Sequence, residues 1–485
     1  MRAHGRTTRA AAPLAPTAML WRETMKPNTM FWLVSTAALL GAAAAPAQQI
    51  ASNQPAPPND STPAAATSGK STGSASTLRT INIQYFRPTD KRGIDMFETP
   101  KVAGAPYTGF KLDFGGAFTQ QFQALRDRNT AAPRFVDSVN VNQLMPIGTG
   151  FNNSTANLYL NAQLAPGIRV ALTSYLSSRH HNETWVKDGY LLIDESPIHS
   201  DLLDGLMQFV TIRVGQFEVN YGDAHFRRSD NGNALYNPFV GNLIMDALTT
   251  EIGGEVYLRA NGFMAMGSIT NGESHGLVTQ PSAKSPAFIG KLGYDRQVNP
   301  DLRIRLTGSA FTQKRSSNQT LYAGDRAGSR FYFVMENTNA TESGNFTSGL
   351  INPGFGSKLT SFMVNPFVKY RGLELFGVAE RASGRTATET SNRTWTQYDG
   401  DVVYRFLSDE KLFVGGRYNV AKGELLGLAS PVKVDRSELS GGWFVTGNVM
   451  LKGEYVSQWY HNFPVTDIRN GGRFNGFMME GVVAF

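Results

Sequence analysis

Basic side chains provide the main candidates for chemistry in this 485-residue chain. In segments where polar and apolar residues alternate, eleven Lys and Arg residues lie on the polar face, and six Asp and Glu residues lie on the same face. Fixed cations that outnumber acids around a narrow passage with low-dielectric walls raise the local anion concentration. The alternative is that these cations border a membrane interface or pair with the acids. The cations are Lys111, Arg169, Arg213, Arg259, Lys291, Arg303, Arg305, Lys369, Arg405, Arg417 and Lys452, and the acids are Asp113, Glu255, Asp295, Asp401, Glu454 and Glu480.

Catalytic and metal-binding patterns are weak by comparison. His180, His181 and Glu183 could ligate a metal, but adjacent strand residues point to opposite faces, and this stretch reads better as a short solvated loop. The segment 230–233 has the composition of a calcium loop without the bidentate Glu at the required distance. The seven His residues do not give the spacing of a Ser-His-acid arrangement. The sequence therefore predicts no enzyme, no cofactor and no metal site.

The charged rows are positioned by segments in which apolar and polar residues alternate. Phe110, Leu112 and Phe114 share one face of the first segment, with Lys111 and Asp113 on the other. A polar row excludes a dry core on that side, so the apolar row must face lipid. We predict an all-β transmembrane antiparallel barrel of about 16 strands, with 14 and 18 as the alternatives. The segments begin at 110 and continue at 152–164, 167–178, 183–194, 207–217, 252–260, 262–271, 287–298, 302–314, 358–370, 373–384, 393–407, 412–420, 434–445, 449–460 and 474–485.

The connections between these segments alternate between tight and long. Alternation of this kind is typical of outer-membrane barrels, which have short periplasmic turns and long extracellular loops. The alternation of turns and loops is least regular at 195–206, which is long for a turn, and at 179–182, which is short for a loop. The tight connections lie at 166–167, 261, 299–301, 371–372, 408–411 and 446–448, and the long ones at 125–151, 218–251, 271–286, 315–357, 421–433 and 461–473.

The regions before the barrel have a different composition. Residues 1–47 form a signal peptide region, with translation starting at Met25 and cleavage before Gln48. Residues 48–107 form a periplasmic linker, disordered as far as Thr77, followed by an ordered lead-in, and residues 108–485 form the barrel. Residues 1–47 carry five basic residues and one acidic residue, so the formal net charge of +7 falls to +3 without them. A Lys/Arg cluster that could bind nucleic acid is not present in this sequence.

The last segment carries the pattern of a closing strand. Apolar or small residues recur at every second position up to the terminal aromatic residue, while Glu480 lies in the opposite row. Chain ends fray unless they are paired, and a closed barrel pairs its last strand on both sides. We predict that this row faces lipid and serves as the signal read by the barrel-assembly machinery. The row consists of Phe477, Met479, Gly481, Val483 and Phe485.

The long segment 218–251 is the third extracellular loop in this count. Its apolar residues, including Phe239 and Ile244, need burial, which predicts that the loop folds into the lumen. The alternative is an outward lid or a latch between protomers. Arg227 and Arg228 would then lie at the narrowest point above Arg213. We assign pore and selectivity roles to these three residues and to Glu218, Asp223, Arg303, Arg305 and Arg417.

The junction before this loop resembles a known family. Arg213-Val214-Gly215-Gln216-Phe217, followed by Tyr221-Gly222, is similar to the strand-to-loop junction of the phosphate-selective porin O and P family. The resemblance implies a porin with 16 strands, an in-folded third loop and a trimeric assembly. That family has a basic residue and prolines where this chain has Glu218-Val219-Asn220, so the resemblance does not extend to phosphate selectivity.

These patterns together predict a porin of the bacterial outer membrane. It would allow passive diffusion of small hydrophilic solutes with a mild anion preference, in contact with outer-membrane lipid and as a homotrimer. Neutral residues in place of Arg213, Arg227 and Arg228 should lower the anion-to-cation permeability ratio. The alternative is a non-conducting adhesion or structural barrel whose loops, especially 315–357, bind an external partner. A lumen filled with side chains would favour that alternative.

Overall fold

A computed structural model describes residues 86–98, 101, 107–152, 154–177, 184–272, 278–324, 330–428 and 430–485. The predicted signal peptide, the linker as far as Thr77 and the His180–Glu183 stretch lie outside these ranges. Within the ranges, the model contains no helix that is long and apolar enough to cross a membrane.

Sixteen long antiparallel strands of the described residues close into one barrel. Each pairs with its neighbours in sequence, and the first pairs with the last from Ala117–Ala484 to Arg128–Arg473. Three two-residue strands lie in the first long loop. The strands are β1 (Lys111–Arg128), β2 (Phe135–Val136), β3 (Val139–Asn140), β4 (Gly150–Phe151), β5 (Thr155–Ala165), β6 (Ile168–Ser177), β7 (Thr184–Ile193), β8 (Val210–Glu218), β9 (Thr250–Ala260), β10 (Phe263–Thr270), β11 (Ala287–Asn299), β12 (Leu302–Gln313), β13 (Lys358–Tyr370), β14 (Leu373–Arg385), β15 (Arg393–Phe406), β16 (Leu412–Gly423), β17 (Val432–Phe444), β18 (Val449–His461) and β19 (Arg473–Ala484).

The predicted fold class is confirmed. The predicted strand ends lie within three residues of the observed ends, except that β1 continues to Arg128, four residues beyond the end implied by the predicted connection 125–151. The alternation of faces is also as expected: on β19, Phe477 and Met479 are each 61% exposed on the outside, while Glu480 is 2% exposed on the inside. An apolar outer band around a closed antiparallel sheet is the architecture of outer-membrane β-barrels.

The last residue takes part in closing the barrel. The backbone N–H of Phe485 donates to the carbonyl oxygen of Gly116 at 2.9 Å, and its own carbonyl accepts from the N–H of Gly116 at 2.9 Å. The aromatic ring is 48% exposed on the outer face. The predicted outward row of β19 therefore continues to the end of the chain.

The connections divide the barrel into a turn side and a loop side, named for the short and long connections. The uncertain segment 195–206 belongs to the turn side and contains a short helix, α1 (Asp201–Met207). This helix begins at an N-cap, because the Ser200 side chain accepts a hydrogen bond from the N–H of Leu203 at 3.3 Å. The segment was long for a turn because it accommodates this helix.

The interior of the barrel is packed across much of its section. Residues 219–249, called here the third loop, fold inward, and Val240, Ile244 and Met245 are fully buried. They form one apolar cluster with Phe331, in the loop between β12 and β13, and with Phe97, which precedes the barrel. The predicted in-folding is confirmed, and the outward lid or latch is wrong for this loop. Apolar residues that would be exposed on a loop tip are instead buried against the inner wall.

Candidate solute path through the barrel

The third loop lies in direct backbone contact with the barrel wall. A Cβ at Gly232 would come within 2.4 Å of Ala156 Cα and 2.6 Å of Ala117 O, so only glycine permits this approach. Thr119 Oγ1 donates to the Gly232 carbonyl at 2.6 Å. On the nearby strand β18, Lys452 Nζ donates to three loop carbonyls at 2.7–2.9 Å. The wall therefore holds the loop by its backbone as well as by its side chains.

Asp223 is the main charged anchor of the third loop. It is fully buried and accepts from both Arg305 Nε and Nη2 at 2.8 Å and from Thr307 Oγ1 at 2.8 Å. The Lys291 ammonium lies 2.7 Å away. Burial alone would raise the pKa of Asp223, but Lys291 and Arg305 outweigh burial and hold it below its ordinary value. The aspartate is therefore ionised and fixes the loop to the wall.

Residues 86–98, called here the lead-in segment, enter the turn side of the barrel and bring two more acids. Glu98 lies 2.8 Å from Lys291 and 2.6 Å from Arg305, and these cations hold its pKa well below the ordinary range against the opposing effect of burial. Asp95 pairs with Arg227, and burial is again outweighed, so the pKa of Asp95 is also lowered. The lead-in segment therefore joins the loop and the wall in one ionic network.

The other predicted cations of this region belong to the same network or to a similar one. Arg227 also contacts Glu374 at 3.2 Å. Arg303 donates to Asp295 at 2.7 and 2.8 Å. Arg417 donates to Asp401 at 2.7 and 3.0 Å. All of these guanidinium groups are ion-paired and support the packed interior.

A cavity of about 240 Å³ remains between the third loop and the wall formed by β7, β8 and β9. Arg213, Glu218 and Arg228, three of the predicted site residues, line it. Arg213 Nη2 donates to Glu255 at 2.6 Å, and Arg228 donates to Asp246 at 2.5 and 2.9 Å. The structure therefore brings these three residues together around open space, while Asp223, Arg227, Arg303, Arg305 and Arg417 do not line this cavity.

Two further arginines line the same cavity without a carboxylate partner among the described residues. Arg259 on β9 donates to Thr211 at 3.4 Å and lies 4.4 Å from the centre of the Tyr257 ring. Arg87 of the lead-in segment donates to the carbonyls of Gly93 and Phe226 at 2.8 and 3.0 Å. Its guanidinium is 3.5 Å from the centre of the Tyr236 ring. Burial lowers the pKa of Arg87, but from a value so high that the group stays charged.

Sequence reasoning identified Arg259 as a lumenal cation but not as a principal site residue, and it did not identify Arg87, Asp95 or Glu98. The alternation of Lys111 to Arg128 does not extend into the lead-in segment, so no periodic signal places these residues. The only available signal was compositional: charged residues concentrated after a long linker in which only Asp60 and Lys70 are charged. Their position inside the barrel depends on contacts with residues more than 100 positions away.

No family model matches the chain, and no curated protein sequence matches it. The fold is similar to several solved structures. The anion-selective porin from Comamonas acidovorans shares 12% identity over 78% of this chain and 100% of that chain, with a TM-score of 0.48. The outer membrane protein OmpT of Vibrio cholerae, in its trimer form, shares 11% over 78% and 100%, with a TM-score of 0.46.

The outer membrane channel DcaP of Acinetobacter baumannii shares 10% identity over 79% of this chain and 100% of that chain, with a TM-score of 0.44. Identities this low, with TM-scores below 0.5, give no information on what the present chain binds or transports. The resemblance at Arg213–Phe217 to phosphate-selective porins remains a prediction. The described part of the chain has the architecture of an outer-membrane β-barrel, with a cavity inside it beside β7, β8 and β9.

Proposed function

We propose that the protein is an outer-membrane channel for passive diffusion of small hydrophilic solutes, with a mild anion preference. The path is the cavity beside β7, β8 and β9, because the third loop and its neighbours fill much of the rest of the described interior. The observation that carries the proposal is that Arg87 and Arg259 line this cavity without an acidic partner among the described residues.

The arginines of the cavity that form no ion pair support an anion preference. Each carboxylate that lines the cavity has a cationic neighbour within 4.0 Å, and Asp188, Glu218 and Asp230 share Lys187. Of the four lining arginines, Arg213 and Arg228 are paired with acids, and Arg87 and Arg259 have no ion-paired acid among the described residues. Fixed cations in a narrow space with low-dielectric walls raise the local anion concentration. The four carboxylates are Glu98, Asp188, Glu218 and Asp230.

The setting of the channel is part of the same proposal. The apolar band would contact outer-membrane lipid, with the turn side and the lead-in segment in the periplasm. The outward row that ends at Phe485 would be the signal for the barrel-assembly machinery. The resemblance to porins implies a homotrimer, which cross-linking of the protein in native membranes would test.

The second candidate is the non-conducting barrel whose loops bind an external partner. The packed interior favours it, since the third loop, the lead-in segment and the loop after β12 fill most of the section with buried side chains. Glu380 Oε1, for example, accepts from Tyr221 at 3.0 Å and from Tyr322 at 2.5 Å, which ties two loops to β14. A barrel with this interior and no residual path would carry no current.

Single-channel recording distinguishes the two candidates. The purified full-length protein would be inserted into planar bilayers under a KCl gradient, and the reversal potential would give the chloride-to-potassium permeability ratio. We expect discrete openings with a ratio above one. Arg259→Gln should lower the ratio, Arg259→Lys should largely retain it, and Arg371→Gln, on an exposed turn away from the cavity, should leave it unchanged. Absence of current would support the non-conducting barrel instead.

A further inference from the structure

The cavity beside β7, β8 and β9 is lined by aromatic side chains as well as by charges. They come from all three parts of the molecule that meet there: the wall, the third loop and the lead-in segment. Aromatic rings bury large apolar surfaces and pair with other rings in offset or edge-to-face arrangements. A path for strongly hydrated ions alone has no need for such a lining. The rings belong to Phe86, Phe97, Tyr190, Phe226, Tyr236 and Tyr257.

Each of the two arginines that have no acidic partner in the described part of the chain lies against one of these rings. The Arg259 guanidinium is 4.4 Å from the centre of the Tyr257 ring, and that of Arg87 is 3.5 Å from the centre of the Tyr236 ring. Cation and aromatic surface are therefore adjacent at two places in one cavity. A guanidinium binds a carboxylate with two parallel hydrogen bonds, and the neighbouring ring offers a surface for a flat apolar group.

The size of the cavity limits the solute. Its volume of about 240 Å³ lies below the roughly 300–1,000 Å³ of pockets for drug-sized ligands. A single ring with one acidic group is the class that fits this space. An inorganic anion would lose hydration among the rings without replacing it, and a neutral solute would leave both guanidinium groups without a counter-charge.

We propose that this cavity binds small aromatic carboxylates, with the carboxylate on Arg259 and the ring against Tyr257. The inference deepens the proposed function, because it names the class of solute that would pass through the cavity, and it rests on that function for the passage itself. The lead-in segment contributes part of the site through Arg87 and Phe97, so the site is complete only when residues 86–98 are docked. The solute class follows from the combination of rings with cations that form no ion pair among the described residues, and each of these can be tested separately.

Benzoate, acetate and benzyl alcohol are the probes that separate charge from ring. Acetate has the carboxylate without the ring, and benzyl alcohol has the ring without the charge. Concentration-dependent block of the single-channel current would be measured for each probe in symmetric KCl. Binding to the full-length protein in detergent would be measured in parallel by calorimetry, which does not depend on conductance. We expect benzoate to block and bind at least about tenfold more tightly than either other probe.

Two substitutions test the two halves of the site. Arg259→Gln should weaken benzoate binding by about tenfold to a hundredfold, because it removes a charge-assisted contact. Tyr257→Leu should weaken benzoate about threefold to tenfold and leave acetate unaffected, since only the ring contact is lost. Arg371→Gln is the matched control for loss of one arginine, with no change expected.

The possible results separate this inference from the proposed function. Current in KCl with equal affinity for benzoate and acetate would overturn the aromatic site and leave the channel intact. Selective benzoate binding without any current would support the site and overturn passive diffusion. Selective binding that Arg259→Gln and Tyr257→Leu leave unchanged would place the site elsewhere and also overturn the inference.

Discussion

The third loop should detach from the wall when Asp223 loses its charge. Asp223→Asn keeps the size of the side chain but removes the counter-charge of Arg305 and Lys291, two cations that are themselves buried. Breaking a buried ion pair by neutralising one partner costs about 3–5 kcal/mol. Glu98 remains 2.6 Å from Arg305 and 2.8 Å from Lys291, so we take the lower end of that range.

A cost of about 3 kcal/mol changes the equilibrium between docked and detached loop by about two powers of ten. Trypsin measures this change directly, because Arg227 and Arg228 are cleavage sites that are only 3% and 5% exposed while the loop is docked. When opening and closing are fast, the cleavage rate follows the population of the open form. We expect cleavage after these residues to be about a hundredfold faster in Asp223→Asn, with noisier and larger single-channel currents.

The matched control is Asp301→Asn. Asp301 pairs with Arg371 at 3.2 Å on an exposed turn, where water solvates both side chains. This variant should be cleaved within the third loop at the wild-type rate. If Asp223→Asn is also cleaved at the wild-type rate, the ionic network does not hold the loop, and the apolar cluster around Ile244 alone is sufficient.

Three further predictions concern the lead-in segment, the interior and the closing strand. Lys291 and Arg305 hold the pKa of Glu98 well below 4.5, so the ionised carboxylate stabilises docking of the lead-in segment above pH 4.5. This contribution declines as the pH falls below 4.5, and pepsin should therefore cleave the lead-in segment increasingly fast towards lower pH. Glu98→Gln should remove much of this pH dependence. Arg227→Gln should lower the free energy of unfolding by about 3–5 kcal/mol in denaturant titrations, because Asp95 and Glu374 remain buried after they lose this cationic partner. The same variant should change the chloride-to-potassium permeability ratio less than Arg259→Gln does. Deletion of Phe485 should reduce the heat-stable, barrel-assembled fraction in membranes, and an undiminished fraction would show that pairing with Gly116 is dispensable.

The barrel wall could be predicted from the sequence because its signal is local. In a strand, residues two apart share a face, so Phe477, Met479 and Glu480 reveal their directions without any knowledge of their neighbours. The in-folded loop was predictable for a related reason. Residues such as Ile244 are too apolar for a solvated tip, and the barrel lumen is the only interior available to them. Burial preference therefore determined both the strands and the position of the third loop.

The partners of the lumenal cations could not be predicted in the same way. The sequence places Lys291 and Arg305 on inward rows, but their acids arrive from Glu98 and Asp223, on segments without periodicity. Which acid reaches which cation depends on the path of the chain across the barrel. A count of inward charges on the strands is therefore a poor guide to the field inside the pore.

The same contacts change the meaning of the basic excess on the wall. Lys452 directs its ammonium to the backbone carbonyls of the third loop, and Arg417 donates to the Gly241 carbonyl at 3.1 Å as well as to its acids. A loop that turns back inside a barrel presents many carbonyls without strand partners, and buried carbonyls must be satisfied. The long side chains of Lys and Arg on the inner wall donate hydrogen bonds to these carbonyls. Part of the excess of Lys and Arg is thus a consequence of filling the barrel with loop backbone, and anion attraction is left to Arg87 and Arg259, which have no ion-paired acid among the described residues.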